Sequence, residues 1–182
     1  MQNNIDNIEF GFVNKGTKDN NNLTDEFNYR LRKLYTSLLL FYDEETARNI
    51  YSNGYYYMLY TLDTALEHNA DQEVFHIMIS GGTSEAIKDS VLTSDPFKDG
   101  LLLSKGNFSE LSKEIIKLSL PDIITENYVT YEFHRDKTKR QICEKYKINS
   151  LEFYIENYKA LHKLKKVIKK EKKGMKKELT IK

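Results

Sequence analysis

One cysteine, two prolines and no tryptophan occur in the 182 residues of this chain. A single thiol, Cys143, excludes both an internal disulfide framework and a cysteine-based zinc site, since each needs several thiols. That usage fits a reducing compartment. Long apolar runs are also missing. The longest, Leu38 to Phe41, falls far short of the roughly 20 residues that span a bilayer. The first residues, Met1 to Glu9, are polar and acidic, so no secretory signal is expected. These absences predict a soluble cytoplasmic protein with no membrane span.

Catalytic and cofactor signatures are equally sparse. His68, His76, His134 and His162 are scattered, and none has the spacing of a local metal pair. Gly81-Gly82-Thr83-Ser84 could offer backbone N–H groups to an anion, but it lacks the lysine and spacing of a P-loop and reads as a turn and helix cap. Glu44 and Glu45 sit at an expected helix start, where the dipole favours negative charge. The carboxylates Glu110 and Glu114 and the row Tyr55 to Tyr60 are the remaining candidates. Nothing here converges on an active site, and no enzyme, cofactor or metal is expected.

What the chain does have is charge divided between its ends. Residues 135–182 hold seventeen lysines and arginines against six acids, a net of +11, whereas residues 1–134 hold eleven against twenty-one, a net of −10. The overall +1 conceals this. So dense a basic end attracts polyanions, because neutralising a partner's charges releases its counterions.

Thirteen tyrosines and nine phenylalanines can build a substantial core, and the pattern of apolar residues is helical almost throughout. Residues 1–23 read as an arm. Phe27, Leu31, Leu34, Tyr35, Leu38 and Leu39 recur at helical spacing after Thr24 or Asp25, either of which could cap a helix running to about Asp43. A second helix from Glu44 carries Ala47, Ile50, Tyr51, Met58, Leu62, Ala65 and Leu66 to the His68-Asn69 stop, with Gly54 a place to bend. The short apolar run Val74 to Ile79 fits helix or strand by periodicity and is read as a helix from its acidic start at Asp71; Gly81-Gly82 then breaks the chain, and a short helix capped by Thr83 or Ser84 follows to Leu92. After the Asp95-Pro96 turn, Asn107 or Ser109 opens another, expected to stop before Pro121. Residues 24–134 are thus an acidic antiparallel helical bundle, and the chain is all-α.

From residue 135 to 173 the pattern becomes a short helix, a tight connection and a long helix, with a basic tail over residues 174–182. Ile142, Cys143, Tyr146, Ile148 and Phe153 fall at inward positions, with small Cys143 where two helices must approach. The segment Lys139-Arg140-Gln141-Ile142-Cys143-Glu144-Lys145-Tyr146-Lys147-Ile148-Asn149-Ser150 resembles the helix-turn-helix superfamily in spacing, over residues 138–158 only. Lys147 replaces its usual turn glycine, and Glu156 a usual inward apolar residue. The resemblance implies that the helix from Ser150 enters the DNA major groove. Lys137, Lys139, Arg140, Lys145 and Lys147 would then hold phosphates, with Asn149, Ser150, Glu152 and Tyr154 nearest the bases.

A second reading starts from the stripe Leu151, Ile155, Tyr158, Leu161, Leu164 and Ile168. It would let the helix dock on an acidic surface, including the chain's own bundle, or pair with a second copy as a homodimer. The protein would then be an adaptor. RNA and anionic lipid are further polyanions the charge alone admits. The two main readings differ in whether the helix after Ser150 has an open or a covered face.

Overall fold

The structure, a computed structural model, describes residues 21–97, 103–127 and 136–180. The expected arm lies outside them except for residues 21–23, which are already helical. Six α-helices follow in order: α1 Asn21–Phe41, α2 Glu44–Glu67, α3 Gln72–Thr93, α4 Glu110–Thr125, α5 Asp136–Tyr146 and α6 Ser150–Thr180. A 3-10 turn, Leu103–Gly106, precedes α4. Helices α1 to α4 pack as an antiparallel bundle, with α6 laid on α4 and the 3-10 turn.

The core grows from the spacing of apolar residues. Phe27, Leu31, Leu34, Tyr35 and Leu38 line one side of α1 and are all buried. They meet Ile50, Met58 and Leu62 of α2, Ile79 and Ile87 of α3, and Ile116, Leu120 and Ile124 of α4 in one continuous cluster. Ile142 of α5 and Phe153, Ala160 and Leu164 of α6 belong to the same cluster. Arg30 of α1 adds a polar tie, donating to Glu26 at 3.0 Å and Ser80 at 2.7 Å and reaching His76 Nδ1 at 2.6 Å.

Helix starts follow capping chemistry. The Asp43 carboxylate accepts from Thr46 N at 2.9 Å and Thr46 Oγ1 at 2.8 Å, bonds that hold its pKa below the ordinary carboxylate value. Asp71 caps α3 through Val74 N at 2.8 Å, and Ser109 caps α4 through Ser112 N at 3.2 Å. Three helix ends share one further device. Asn69, Glu126 and Lys147 are left-handed, with φ of 50°, 56° and 52°. At each, the residue's N–H and the next one's bond back to the last turn; Lys147 N meets Glu144 O at 3.4 Å, and Ile148 N meets Cys143 O at 3.0 Å.

The breaks expected at Gly54, Gly81-Gly82 and Pro121 are absent. Gly54 does not interrupt α2, which runs through it. A Cβ there would lie 2.7 Å from Leu34 Cδ2 and 3.2 Å from Ile87 Cγ2, so the missing side chain lets α1 and α3 close on α2. Gly81 and Gly82 lie inside α3, and a side chain at Gly82 would collide with the Tyr57 ring. Thr83 and Ser84, expected as caps, are buried in mid-helix, where Thr83 Oγ1 donates to Ile79 O and Ser84 Oγ to Asp122 at 2.7 Å.

α4 likewise continues past Pro121 to Thr125. An interior proline costs about 3 kcal/mol. Burial of Ile116, Leu120 and Ile124 and the Ser84–Asp122 bond hold the helix together on both sides of it. Gly174 does not end α6, which reaches Thr180 through a stretch rich in the straight-chain residues Lys, Glu and Met.

Substitution Gly54→Leu is expected to lower stability by at least about 1–3 kcal/mol through overpacking where α1, α2 and α3 meet. Chemical denaturation measures it. Gly174 has nothing within 4 Å, so Gly174→Ala is expected to raise helicity.

Candidate nucleic-acid interface

Three residues, Lys147 to Asn149, join α5 to α6, and the chain solves that turn without glycine. Lys147 takes the left-handed position itself and points an exposed side chain outward. Asn149 caps α6: its Oδ1 accepts from Glu152 N at 2.8 Å, while Glu152 Oε2 accepts from Asn149 N at 3.4 Å. This reciprocal pair is a capping box. Asn149 and Glu152 therefore have a structural task in addition to any contact with bases.

The predicted phosphate-binding cations separate into committed and free groups. Lys139 Nζ donates to Tyr154 Oη at 2.9 Å and lies 4.1 Å from the Tyr154 ring centroid, which pins α5 to the first turns of α6. Lys145 pairs with Glu114 of α4, and the same carboxylate oxygen accepts from Tyr146 Oη at 3.0 Å. The Glu114 hydrogen bond raises the Lys145 pKa; for Tyr146, loss of solvent raises it first and the Glu114 carboxylate second. Arg140 and Lys147 are exposed and have no partner among the described residues. Ser150, the first residue of α6, is exposed, as is Tyr154. Lys137 is the second residue of α5, and its side chain lies outside the described ones.

The face of α6 after Ser150 is open. Leu151 is 68%, Ile155 45% and Tyr158 71% exposed, and Tyr158 stacks on His162 with ring centroids 5.9 Å apart. The apolar stripe predicted through these residues is only partly the docking face, since Leu164 is buried and Leu161 and Ile168 half-buried. At the N-terminal half the bundle takes a neighbouring stripe, Phe153 and Ala160. Phe153 offers the larger apolar area there, and small Ala160 permits close approach. Glu156 stays at the margin, 3.5 Å from Lys159.

Further along α6 stands a set of cations outside the predicted site residues, which the sequence suggested only as the solvated face of the long helix and its basic end. Lys165, Lys166, Lys169, Lys170, Lys172 and Lys173 are exposed and have no acidic partner among the described residues. Glu171, the acid within that run, is itself held by Lys105 of the 3-10 turn at 3.1 Å. Their signal in the sequence is helical spacing: Lys165, Lys169 and Lys172 recur every three to four residues. Lys163 is different, donating to Asn107 O at 2.7 Å over the Phe108 ring.

Among the described residues, no group of three or more His, Cys, Asp or Glu could hold a metal ion. No described helix is long and apolar enough to cross a membrane. Substitution Lys147→Gly is expected to stabilise the fold by about 1 kcal/mol, because it relieves a side chain in the left-handed region. Thermal or denaturant unfolding reads that change. Comparison with protein-family models, with curated proteins and with solved structures finds no match to this chain.

Proposed function

We propose that this protein is a cytoplasmic, non-enzymatic DNA-binding protein whose α5–α6 unit carries the interface. The observation that supports it most is the long row of ammonium groups on α6, together with Arg140 and Lys147, left without acidic partners among the described residues. A cation already paired inside a protein must give up that partner to meet a phosphate, whereas a free one gains from counterion release directly. Lys139 and Lys145 then serve mainly to set the α5–α6 unit in place. In this reading the unit acts as the helix-turn-helix its spacing resembles, with Ser150 and Tyr154 at the groove and the distal lysines along the backbone.

A second reading rests on a different feature. The exposed Leu151, Ile155 and Tyr158 make an apolar strip that suits a partner helix better than a polar groove edge. It favours an adaptor that docks an acidic protein or a second copy. The strip and the lysines lie on successive parts of one helix.

Titration of duplex DNA at several salt concentrations tests the first reading. Affinity is expected to fall linearly on a log–log plot against salt. Arg140→Glu with Lys147→Glu is expected to weaken binding and to lower the slope by about one for each phosphate that is no longer neutralised. Lys145→Gln should change affinity less. Salt-independent or absent binding, with a stable dimer in sedimentation analysis, would instead establish the adaptor.

A further inference from the structure

A cleft of about 660 Å³ opens between α1, α4 and the second half of α6. Its walls are apolar on all three sides: Leu40 and Phe41 from α1, Ile123 from α4, and Leu161, Leu164 and Ile168 from α6. Along one edge stand Lys165, Lys169, Lys172 and Lys173. The two acids at the cleft have other partners, since Asp122 accepts from Ser84 at 2.7 Å and Glu126 pairs with Lys33 at 2.6 Å. The four lysines have none among the described residues.

Nucleic acid does not account for this arrangement. A phosphate backbone would meet the ammonium groups and leave the leucine and isoleucine walls in water. The space lies within the roughly 300–1,000 Å³ typical of small-ligand sites, and it asks for a long apolar body ending in one negative charge.

We propose that this cleft binds a long-chain carboxylate, a fatty acid, with its alkyl chain between α1, α4 and α6 and its head group on the lysine edge. The inference does not rest on the DNA reading, but both draw on Lys165, Lys169, Lys172 and Lys173, so palmitate and duplex DNA would compete for the same ammonium groups. The chain supplies the free energy through apolar burial, and the lysines select the charged head.

Calorimetric titration of the full chain with palmitate, below its micellar concentration, tests the proposal. Saturable binding at one palmitate per protein is expected. Laurate, four methylenes shorter, should bind at least tenfold more weakly, because each buried methylene adds several-fold to affinity. The variant K165Q/K169Q/K172Q, on exposed positions, should weaken palmitate at least tenfold with unchanged circular dichroism, and Leu161→Asn should weaken it from the wall side. Hexadecanol, which has the same chain and no charge, should bind at least tenfold more weakly than palmitate. Absence of palmitate binding overturns the proposal, as does equal affinity for laurate, which would indicate surface ion pairing alone. Equal affinity for hexadecanol overturns the role of the lysines. Binding that emerges only after deletion of residues 1–20 assigns the cleft to that segment and overturns it for the full chain.

Discussion

The arrangement depends on how α6 is anchored. Phe153, Ala160 and Leu164 form a narrow buried stripe, flanked by half-buried Leu161, Val167 and Ile168, and this packing sets which way the remaining side chains of a 31-residue helix point. Burying a leucine or phenylalanine contributes about 1.5–3 kcal/mol, several times the worth of an exposed ion pair. Apolar contact therefore sets the rotation of α6, and the lysines take the positions left over. With the helix held in that register, Lys165, Lys169, Lys172 and Lys173 make no ion pair with the described carboxylates, although Asp122 and Glu126 line the same cleft and the body is acidic. Charge asymmetry in the sequence becomes a free cationic edge in the fold for this reason.

The same logic separates the cations near the turn. Lys139 and Lys145 lie where α5 meets α6 and α4, so an aromatic ring and a carboxylate are within reach and the protein uses both. Arg140 and Lys147 lie where no such group is offered. The left-handed Lys147 adds strain to secure a short connection, a role that glycine fills more cheaply.

Much of the helical layout was legible from residues alone. Asp71 and Ser109 announce helix starts because a side-chain oxygen beside free N–H groups is a local feature that needs no tertiary context, whereas Asp43, read as the end of α1, proves to be the cap of α2. Breakers were less readable. Gly54 and Gly82 serve close packing of helices against Leu34 and Tyr57, and a long-range contact of that kind leaves no local mark. Pro121 sits in a helix whose flanking isoleucines and leucine are buried on both sides, so packing outweighs the local penalty. At the candidate site, the nine residues around the α5–α6 turn were named by what the helix-turn-helix resemblance implies, and only their helical placement was predicted from spacing. The pairing of Lys145 with Glu114, thirty-one positions away, could not be. The stripe on α6 was ambiguous for a related reason: two adjacent apolar rows share one helical period, and only the shape of the bundle chooses between them.

Competitive amine acetylation, followed by mass spectrometry at low and high salt, tests the central claim most directly. The account predicts that Lys165, Lys169, Lys172 and Lys173 react as fully accessible amines at both salt concentrations, while Lys33 and Lys145, held by Glu126 and Glu114, react faster once salt loosens their pairs. Protection of the α6 lysines at low salt, released by high salt, would contradict it, since those ammonium groups would then be neutralised by the protein's own carboxylates.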